Sequence, residues 1–365
     1  GYLNHYKETY DISCAYQLAA IATTADVVPL IGENRLIVYL GLLSINTNPI
    51  SSVKKIWNTY PSLISFNSAD LVFKIAPRIN AAGRLAHAKI AVEFLLSADG
   101  DEKSVFSDIE SLNNDRKSLD EDITKEALFQ LSKTPATRFT NVVYSPDWHK
   151  GVIGIVASRI IEEFYKPTIV FSGDGDLITG SARSVKEFDI YEILNQLKHY
   201  FTRFGGHKYA AGLTMKREIL DDFSKDFEKL VAVNMSKEVR QKKLSIDVDL
   251  TLEKLFQNLN KNGVPKLMRI IKQMEPFGPS NPRPVFCFKK LYFKAPPRIV
   301  GQKHIKFLFT DFQQAERIEG IWFNSVEKFQ KINKLEKADV VGSVVENYYN
   351  NQMNLQLNIK DVKPS

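Results

Sequence analysis

The stretch Asn141-Val142-Val143-Tyr144-Ser145-Pro146-Asp147-Trp148-His149-Lys150-Gly151-Val152-Ile153-Gly154 decides the fold class of this chain. Asn141–Tyr144 reads as a strand, Ser-Pro as a turn, and the apolar spacing that follows predicts a helix over Val152–Phe164. A helix opened by glycine directly after a strand presents unpaired N–H groups and the positive end of its dipole, a ready-made anion site. His149 stands in that loop. A second reading, with Asp147 capping the helix and His149 a solvated surface residue, stays open at this point.

Outward from this stretch the alternation continues. Strands are predicted at Pro167–Phe171, Leu177–Ser181 and Ala210–Met215, and helices at Ile190–Tyr200 and Leu220–Val231, so Arg138 to about Val231 is an α/β domain. Upstream, residues 11–45 predict two helices around the loop Thr23–Pro29, and Ser51 to Ala136 is mainly helical. Asp101–Ser132 reads as one long charged helix, with Val105, Ile109, Leu112, Leu119, Ile123, Leu128 and Leu131 on a loose stripe. A polar helix of that length often bridges two lobes. Downstream, Ser245–Leu250, Val285–Ala295, Ile305–Phe309, Arg317–Phe323, Ala338–Glu346 and Met353–Asp361 read as β segments, interrupted by a single helix at Pro265–Met274. Five or six strands in a basic region suggest a small barrel of the oligonucleotide-binding (OB) type.

The 365 residues are 44% hydrophobic and 25% charged, which excludes disordered and collagen-like classes and suits two or three globular domains. The longest apolar run, Leu36–Leu43, falls far short of the ~20 residues that span a bilayer, so no membrane association is expected. The opening Gly1-Tyr2-Leu3-Asn4-His5 has no signal-peptide character, and the missing initiator Met suggests an excised piece of a longer chain. Cys14 and Cys287 make neither a disulfide framework nor a zinc pair, and a reducing cytoplasm is the expected location. Net charge is +7, distributed unevenly. Val231–Ser365 holds 23 Lys and Arg against 13 Asp and Glu, whereas the first 230 residues hold 26 against 29. The asymmetry points to a polyanionic partner, nucleic acid first and an anionic membrane second, although charge alone is equally satisfied by a lysine-rich solvated surface.

Three further motifs bear chemistry. In Ile79-Asn80-Ala81-Ala82-Gly83-Arg84-Leu85 small residues permit close backbone approach beside an arginine, or simply pack two helices. Gly180-Ser181-Ala182-Arg183-Ser184 sets a hydroxyl, a guanidinium and expected free N–H groups at a strand end, which would suit a phosphate. Phe204-Gly205-Gly206-His207-Lys208-Tyr209-Ala210-Ala211-Gly212 combines paired glycines, expected to turn tightly against a ligand, with the donors His207 and Lys208.

With Ala25–Leu30, Gly32-Glu33-Asn34-Arg35 and the later Glu275-Pro276-Phe277-Gly278-Pro279-Ser280-Asn281-Pro282, these motifs resemble the DHH/DHHA1 phosphoesterases, and among them the RecJ-type single-stranded-DNA exonucleases. The motifs occur in the family's order over nearly the whole chain. The resemblance implies four regions: a remnant of the DHH catalytic domain (1–50), a helical connector (51–136), an α/β DHHA1 substrate-binding domain (137–233) and an OB-like barrel (234–365). Asp26 matches a carboxylate ligand of a two-Mn²⁺ or two-Mg²⁺ site, where hard oxygen ligands suit either ion. Arg84, Ser181 and Arg183 match positions that hold the 5′-terminal phosphate, and Gly205, Gly206 and His207 match the substrate-binding loop. The implied path of the strand includes His149, without an assigned chemical step, and Lys303, His304, Lys306 and Phe307 on the barrel.

One departure outweighs the agreements. The family's other metal motifs, including Asp-His-His, belong upstream of Asp26, yet only 25 residues precede it and none of these patterns occurs among them. The chain is therefore expected to be the DNA-gripping portion of a 5′→3′ exonuclease of DNA repair and recombination, inactive alone. Single-stranded DNA is the expected ligand, a single-strand-binding protein or helicase the expected protein partner, and a monomer the expected state. Two other readings stand beside it. One is a DHH phosphodiesterase for short RNA or cyclic dinucleotides, against which the basic barrel counts; the other is a non-catalytic single-stranded nucleic-acid-binding paralogue. The sequence upstream of Gly1 discriminates.

Overall fold

Two helices open the described chain, and a glycine sets their distance. At Gly41, on α2 (Gly32–Thr47), a Cβ would fall 2.3 Å from the Ala20 Cβ and 2.4 Å from the Tyr16 carbonyl oxygen of α1 (Ser13–Ala25), so only glycine permits this approach. The structure, a computed structural model, describes residues 12–97, 102–330, 332, 336–349 and 352–365. The expectations for Gly1–His5 and for a helix start at Asp101 lie outside the described residues. The chain divides into two compact units. The first takes the described residues of Gly1–Asn48, Ser65–Val72 and Leu244–Ser365, and the second takes Pro49–Ile64 and Phe73–Lys243.

The second unit begins with α3 (Ser51–Asn58), α4 (Ala76–Leu85) and α5 (Lys89–Leu96), followed by the 31-residue α6 (Glu102–Ser132). Then come β1 (Asn141–Ser145), α7 (Ile153–Phe164), β2 (Thr168–Ser172), β3 (Leu177–Arg183), α8 (Ile190–Gln196), β4 (Phe201–His207), β5 (Ala210–Lys216) and α9 (Leu220–Asn234). The five strands form one sheet in the order β1-β2-β3-β5-β4, in which only β1 and β2 run parallel. Phe171, Ile178, Ala182, Leu213 and Met215 on one face pack against Phe223, Phe227 and Val231 of α9. Val143 and Val170 pack with Trp148, Val156 and Ile160 on the other side, closed by Ile123, Ala127 and Leu131 of α6. β2 is buried on both faces, which is why its centre, Ile169-Val170-Phe171, is apolar without alternation.

Long as it is, α6 belongs to a single unit. It lies wholly within the second, packing on α4, α5, α7 and β1, and thereby fuses the helical stretch to the sheet. β4 carries no signal in the sequence. As an edge strand with mostly exposed residues it lacks the alternation that marks a half-buried strand, and the helix expected to reach Tyr200 ends at Gln196.

In the first unit a two-residue strand, β6 (Val248–Asp249), and α10 (Lys266–Gln273) precede the barrel strands β7 (Phe286–Val300), β8 (His304–Thr310), β9 (Arg317–Trp322), β10 (Lys337–Tyr349) and β11 (Gln352–Pro364). β7, β8 and β9 form an antiparallel meander, and β9 pairs in parallel with β11. β11 pairs with β10, which closes back on β7. This five-stranded closed barrel has the OB topology. Phe288, Phe307 and Phe309 fill it together with Ile305, Val340 and Leu357. Two helices escape the sequence pattern, Leu252–Leu255 and Val326–Gln330, each too short to show a period.

Candidate nucleic-acid interface

The sequence motifs of the second unit converge on the start of α7. Arg84, exposed at the last turn of α4, donates from Nη1 to the Gly151 carbonyl oxygen at 3.1 Å. A Cβ at Gly151 would fall 2.4 Å from the Arg84 carbonyl oxygen, so the two loops touch through backbone. His149 Nδ1 accepts from the Gly151 N–H at 3.1 Å, which holds the exposed imidazole beside this contact. Asp147 does not cap α7; the N-cap position is Val152, and no side chain caps the helix.

Two residues farther along, Gly154 faces β3. A Cβ there would lie 2.9 Å from Arg183 Nη2 and 3.0 Å from Ser181 Oγ, so glycine leaves room for both groups against the first turn of the helix. Arg183 Nη1 donates to Ser181 Oγ at 3.1 Å and to the Ala182 carbonyl oxygen at 2.8 Å. Burial lowers the Arg183 pKa first, and the neighbouring charge of Arg84 lowers it further. Guanidiniums that repel each other in a half-buried place are stabilised by an anion between them.

The sequence leads one to expect free backbone N–H groups at Gly180–Ser184, and the structure corrects this. β3 pairs on both sides, with β2 and with β5, so the sheet consumes those groups and only the side chains face a ligand. The Gly-Gly-His motif is corrected likewise: Gly205, Gly206 and His207 end the edge strand β4, and the hairpin turns at Lys208–Tyr209. A Cβ at Gly206 would lie 2.4 Å from the Ala210 carbonyl oxygen, so this glycine serves the close approach of the hairpin.

Sheet register then extends the site. Ser181 pairs with Gly212 and Gly212 with Gly205, while Arg183 pairs with Ala210 and Ala210 with His207. Directly paired residues share a face. Beside Ser181 and Arg183 the sheet surface is therefore a floor of glycine and alanine, with exposed His207 at its far edge. Among the described residues nothing stands within 4 Å of a Cβ on Gly205 or Gly212.

Sequence reading missed two more arginines. Arg159, two turns into α7, donates to buried Asp120 of α6 at 2.6 Å, and Arg116 lies 3.8 Å from the same oxygen. Only the i, i+4 spacing of Arg116 and Asp120 was visible in sequence; the pairing with Arg159 spans 39 residues.

In the first unit, Asp26 is exposed just past the end of α1. Val27 follows with φ 57°, a left-handed conformation costly for a β-branched residue and of the kind that gathers at functional loops. The loop is held by the Glu275–Pro282 motif. The Leu30 N–H donates to the Pro279 carbonyl oxygen at 2.7 Å, and Arg35 Nη2 donates to the carbonyl oxygens of Gln273 and Glu275, each at 3.0 Å. No group of three His, Cys, Asp or Glu suited to a metal occurs among the described residues. One carboxylate does not fit a two-ion site.

On the barrel, Lys303 is exposed, and His304 Nδ1 accepts from the Asn324 N–H while its ring meets Phe323 edge-on at 5.1 Å. Lys306 pairs with Glu319 at 3.0 Å. Phe307 must be withdrawn from the strand path: it is 1% exposed and stacks on Phe309 inside the barrel, because β8 alternates inward and outward residues. A cleft of about 760 Å³ in this unit is lined in part by Lys272 and Arg283. Both are paired, with Glu346 and Glu275 respectively, while a third cation, Lys360, also lines the cleft.

The DHHA1 domain family matches residues 138–233, and the RecJ OB domain family matches residues 246–361. Over 95% of its own length the chain is 31% identical to the single-stranded-DNA-specific exonuclease RecJ of Bacillus subtilis. The chain belongs to the RecJ family. It is 30% identical to RecJ of Haemophilus influenzae, again over 95% of this chain. It spans 44% and 61% of the lengths of these two relatives. The crystal structure of RecJ with Mg²⁺ from Thermus thermophilus superposes on 97% of the chain with a TM-score of 0.81 at 27% identity, covering 53% of that protein. The corresponding RecJ structure with Mn²⁺ agrees at the same TM-score and 26% identity. The barrel thus falls in the region matched by the RecJ OB domain family, and the sheet with the Ser181–Arg183 strand in that matched by the DHHA1 domain family. No single helix among the described residues is long and apolar enough to cross a membrane.

Proposed function

We propose that this chain is the DNA-gripping portion of a single-stranded-DNA-specific 5′→3′ exonuclease acting in repair and recombination. The observation that carries the reading is the convergence of Arg84, Ser181 and Arg183 on the glycine-lined start of α7. Two guanidiniums, a hydroxyl and a helix dipole share one small space, the chemistry that grips a terminal phosphate. The open Gly212–Gly205 floor gives the adjoining nucleotide a surface without side chains to displace, and His207 closes its edge. The basic OB barrel extends the grip electrostatically through groups such as Lys303 and His304.

Asp26 is offered as one ligand of the divalent ions seen in the Thermus relatives. By itself it does not fit the pair, and no hydrolytic step is assigned to the described residues. In this reading the chain binds single strands and needs further metal ligands to cut them. The test is binding of a 5′-phosphorylated oligothymidylate to the chain across a salt series. Affinity is expected to fall linearly on a log–log plot with a slope of about −0.7 per phosphate engaged. Binding indifferent to salt would overturn the reading, and so would robust Mn²⁺-dependent degradation by this chain overturn the assignment of missing ligands.

A further inference from the structure

Asp120 is a fully buried carboxylate, 0% exposed, within a group of arginines. Its Oδ2 accepts from Arg159 Nη2 at 2.6 Å and lies 3.8 Å from Arg116 Nη1. Arg116 is itself largely buried, with 12% of its side chain exposed, and also donates to Asn113 Oδ1 at 2.7 Å. Burial lowers the Arg116 pKa most; Asp120 opposes this, while Arg84 and Arg159 add to the lowering. Arg84, Arg116, Arg159 and Arg183 thus form one electrostatic group, in which Asp120 is the carboxylate paired with two of the four. Arg159 differs from Arg116 in being 46% exposed, and its other N–H groups have no protein acceptor among the described residues. It sits on the same helix as Gly154, five residues on and so about 7.5 Å along the axis and about 140° around it, on the side that faces Asp120 of α6 rather than Arg183 and Ser181 of β3.

We propose that Arg159 holds a further backbone phosphate of the bound strand, separate from the one gripped by Arg84, Ser181 and Arg183, and that Asp120 is the positioning residue that aims it. This rests on the function proposed above and deepens it: the site takes a polynucleotide with an internal phosphate as well as a terminal one. An exposed arginine otherwise samples many rotamers, and anchoring one Nη to a buried carboxylate leaves the rest of the fork pre-oriented for phosphate.

The experiment titrates the chain and its variants with 5′-phosphorylated and 5′-hydroxyl oligothymidylate over a range of salt. Arg159→Ala is expected to weaken binding about five- to tenfold and to reduce the salt slope by about 0.7, the value of one phosphate on a single strand, without changing the preference for the phosphorylated end. Asp120→Asn gives the sharper result. Counted as charge, its loss makes the cluster more positive and should tighten binding; as the loss of a positioning residue, it should weaken binding toward the Arg159→Ala level. Weaker binding supports the inference, and tighter or unchanged binding overturns the role of Asp120. Because Arg159→Ala also strips buried Asp120 of its hydrogen-bonded partner, Arg159→Gln, which keeps a donor but not the charge, decides where either variant fails to fold by circular dichroism, and an unchanged slope overturns the second phosphate site. Absence of salt-dependent binding by the unaltered chain would overturn the proposed function and this inference together, whereas an unchanged Arg159→Ala slope beside a normally binding parent overturns this inference only.

Discussion

Arg183 occupies the space that a side chain on Gly154 would need: a Cβ there would stand 2.9 Å from Arg183 Nη2. The two residues come from β3 and from the first turn of α7, and the missing methyl lets a guanidinium lie against the helix start. A helical Gly→Ala change ordinarily stabilises by about 1 kcal/mol. Gly154→Ala is therefore expected to hold or raise the thermal midpoint, since it displaces only flexible side-chain ends, while weakening binding of 5′-phosphorylated single strands about tenfold. Calorimetry and fluorescence anisotropy on one preparation check both halves. Unaltered affinity would show that the Arg183–Ser181 arrangement is not the ligand-bound one.

Arg183→Ala addresses end recognition directly. The expected outcome is loss of most of the advantage of a 5′-phosphate over a 5′-hydroxyl, by about 10- to 100-fold, since charge-assisted hydrogen bonds carry about 1.5–3 kcal/mol. Equal weakening on both ends would give Arg183 a structural role in place of phosphate recognition.

Much of this site was legible in the sequence because its parts are local. Gly151 and Gly154 at a helix start, Ser181 and Arg183 two apart on a strand, and Gly205-Gly206-His207 are short patterns whose residue types restrict what they can do. The resemblance put them in order. Relations across the fold were not legible. β3 lies inside the sheet rather than ending free, so its backbone is spent on β2 and β5. Asp120 and Arg159 meet only because α6 packs on α7. Phe307 shows the limit of composition: an aromatic beside lysines on a barrel strand resembles a stacking platform, and strand parity alone turns it inward.

The helical part of the second unit depends on a partly buried ion pair. Arg78, 5% exposed, bonds Glu110 through both Nε and Nη2, and also donates to the Tyr60 hydroxyl at 3.0 Å. Burial by itself would lower the Arg78 pKa, but Glu110 and Tyr60 together raise it. Glu110→Ala leaves that guanidinium inside without its counter-charge and is expected to cost about 2–3 kcal/mol, the lower range for such a break because Glu110 retains some solvent contact. Urea unfolding with an unchanged m-value checks it. A loss below about 0.5 kcal/mol would mean that the pair contributes no more than a surface bridge.

The barrel separates stability from binding at neighbouring positions. Phe307→Ala removes a core ring packed on Phe309, Phe293 and Phe329, and is expected to destabilise by about 3–5 kcal/mol. Lys303→Ala alters an exposed cation four residues earlier in the chain. It should leave the thermal midpoint in place while reducing the salt slope of single-strand binding by up to about 0.7. A binding defect in Phe307→Ala that persists after correction for the unfolded fraction would return that residue to the strand path.

Cys287 offers a readout of barrel integrity through pH. The thiol is 6% exposed on β7, where Asp249 is its register partner on β6. Burial raises its pKa first, then the nearby charges of Asp249 and Asp339; Lys289 opposes them. A raised thiol pKa means less thiolate at any given pH, and thiolate is the reacting form. In the folded chain Cys287 should therefore resist alkylation at pH 7 to 8, and its rate should climb only at more alkaline pH than for a free thiol, whose pKa is about 8.5. In denaturant the delay should vanish, because burial and both carboxylates are lost together. Mass mapping of the alkylated peptide gives the rate for this cysteine alone. Prompt labelling of Cys287 at neutral pH in the folded chain would mean that the β6–β7 edge opens readily, and that the barrel is less closed there than its strand order implies.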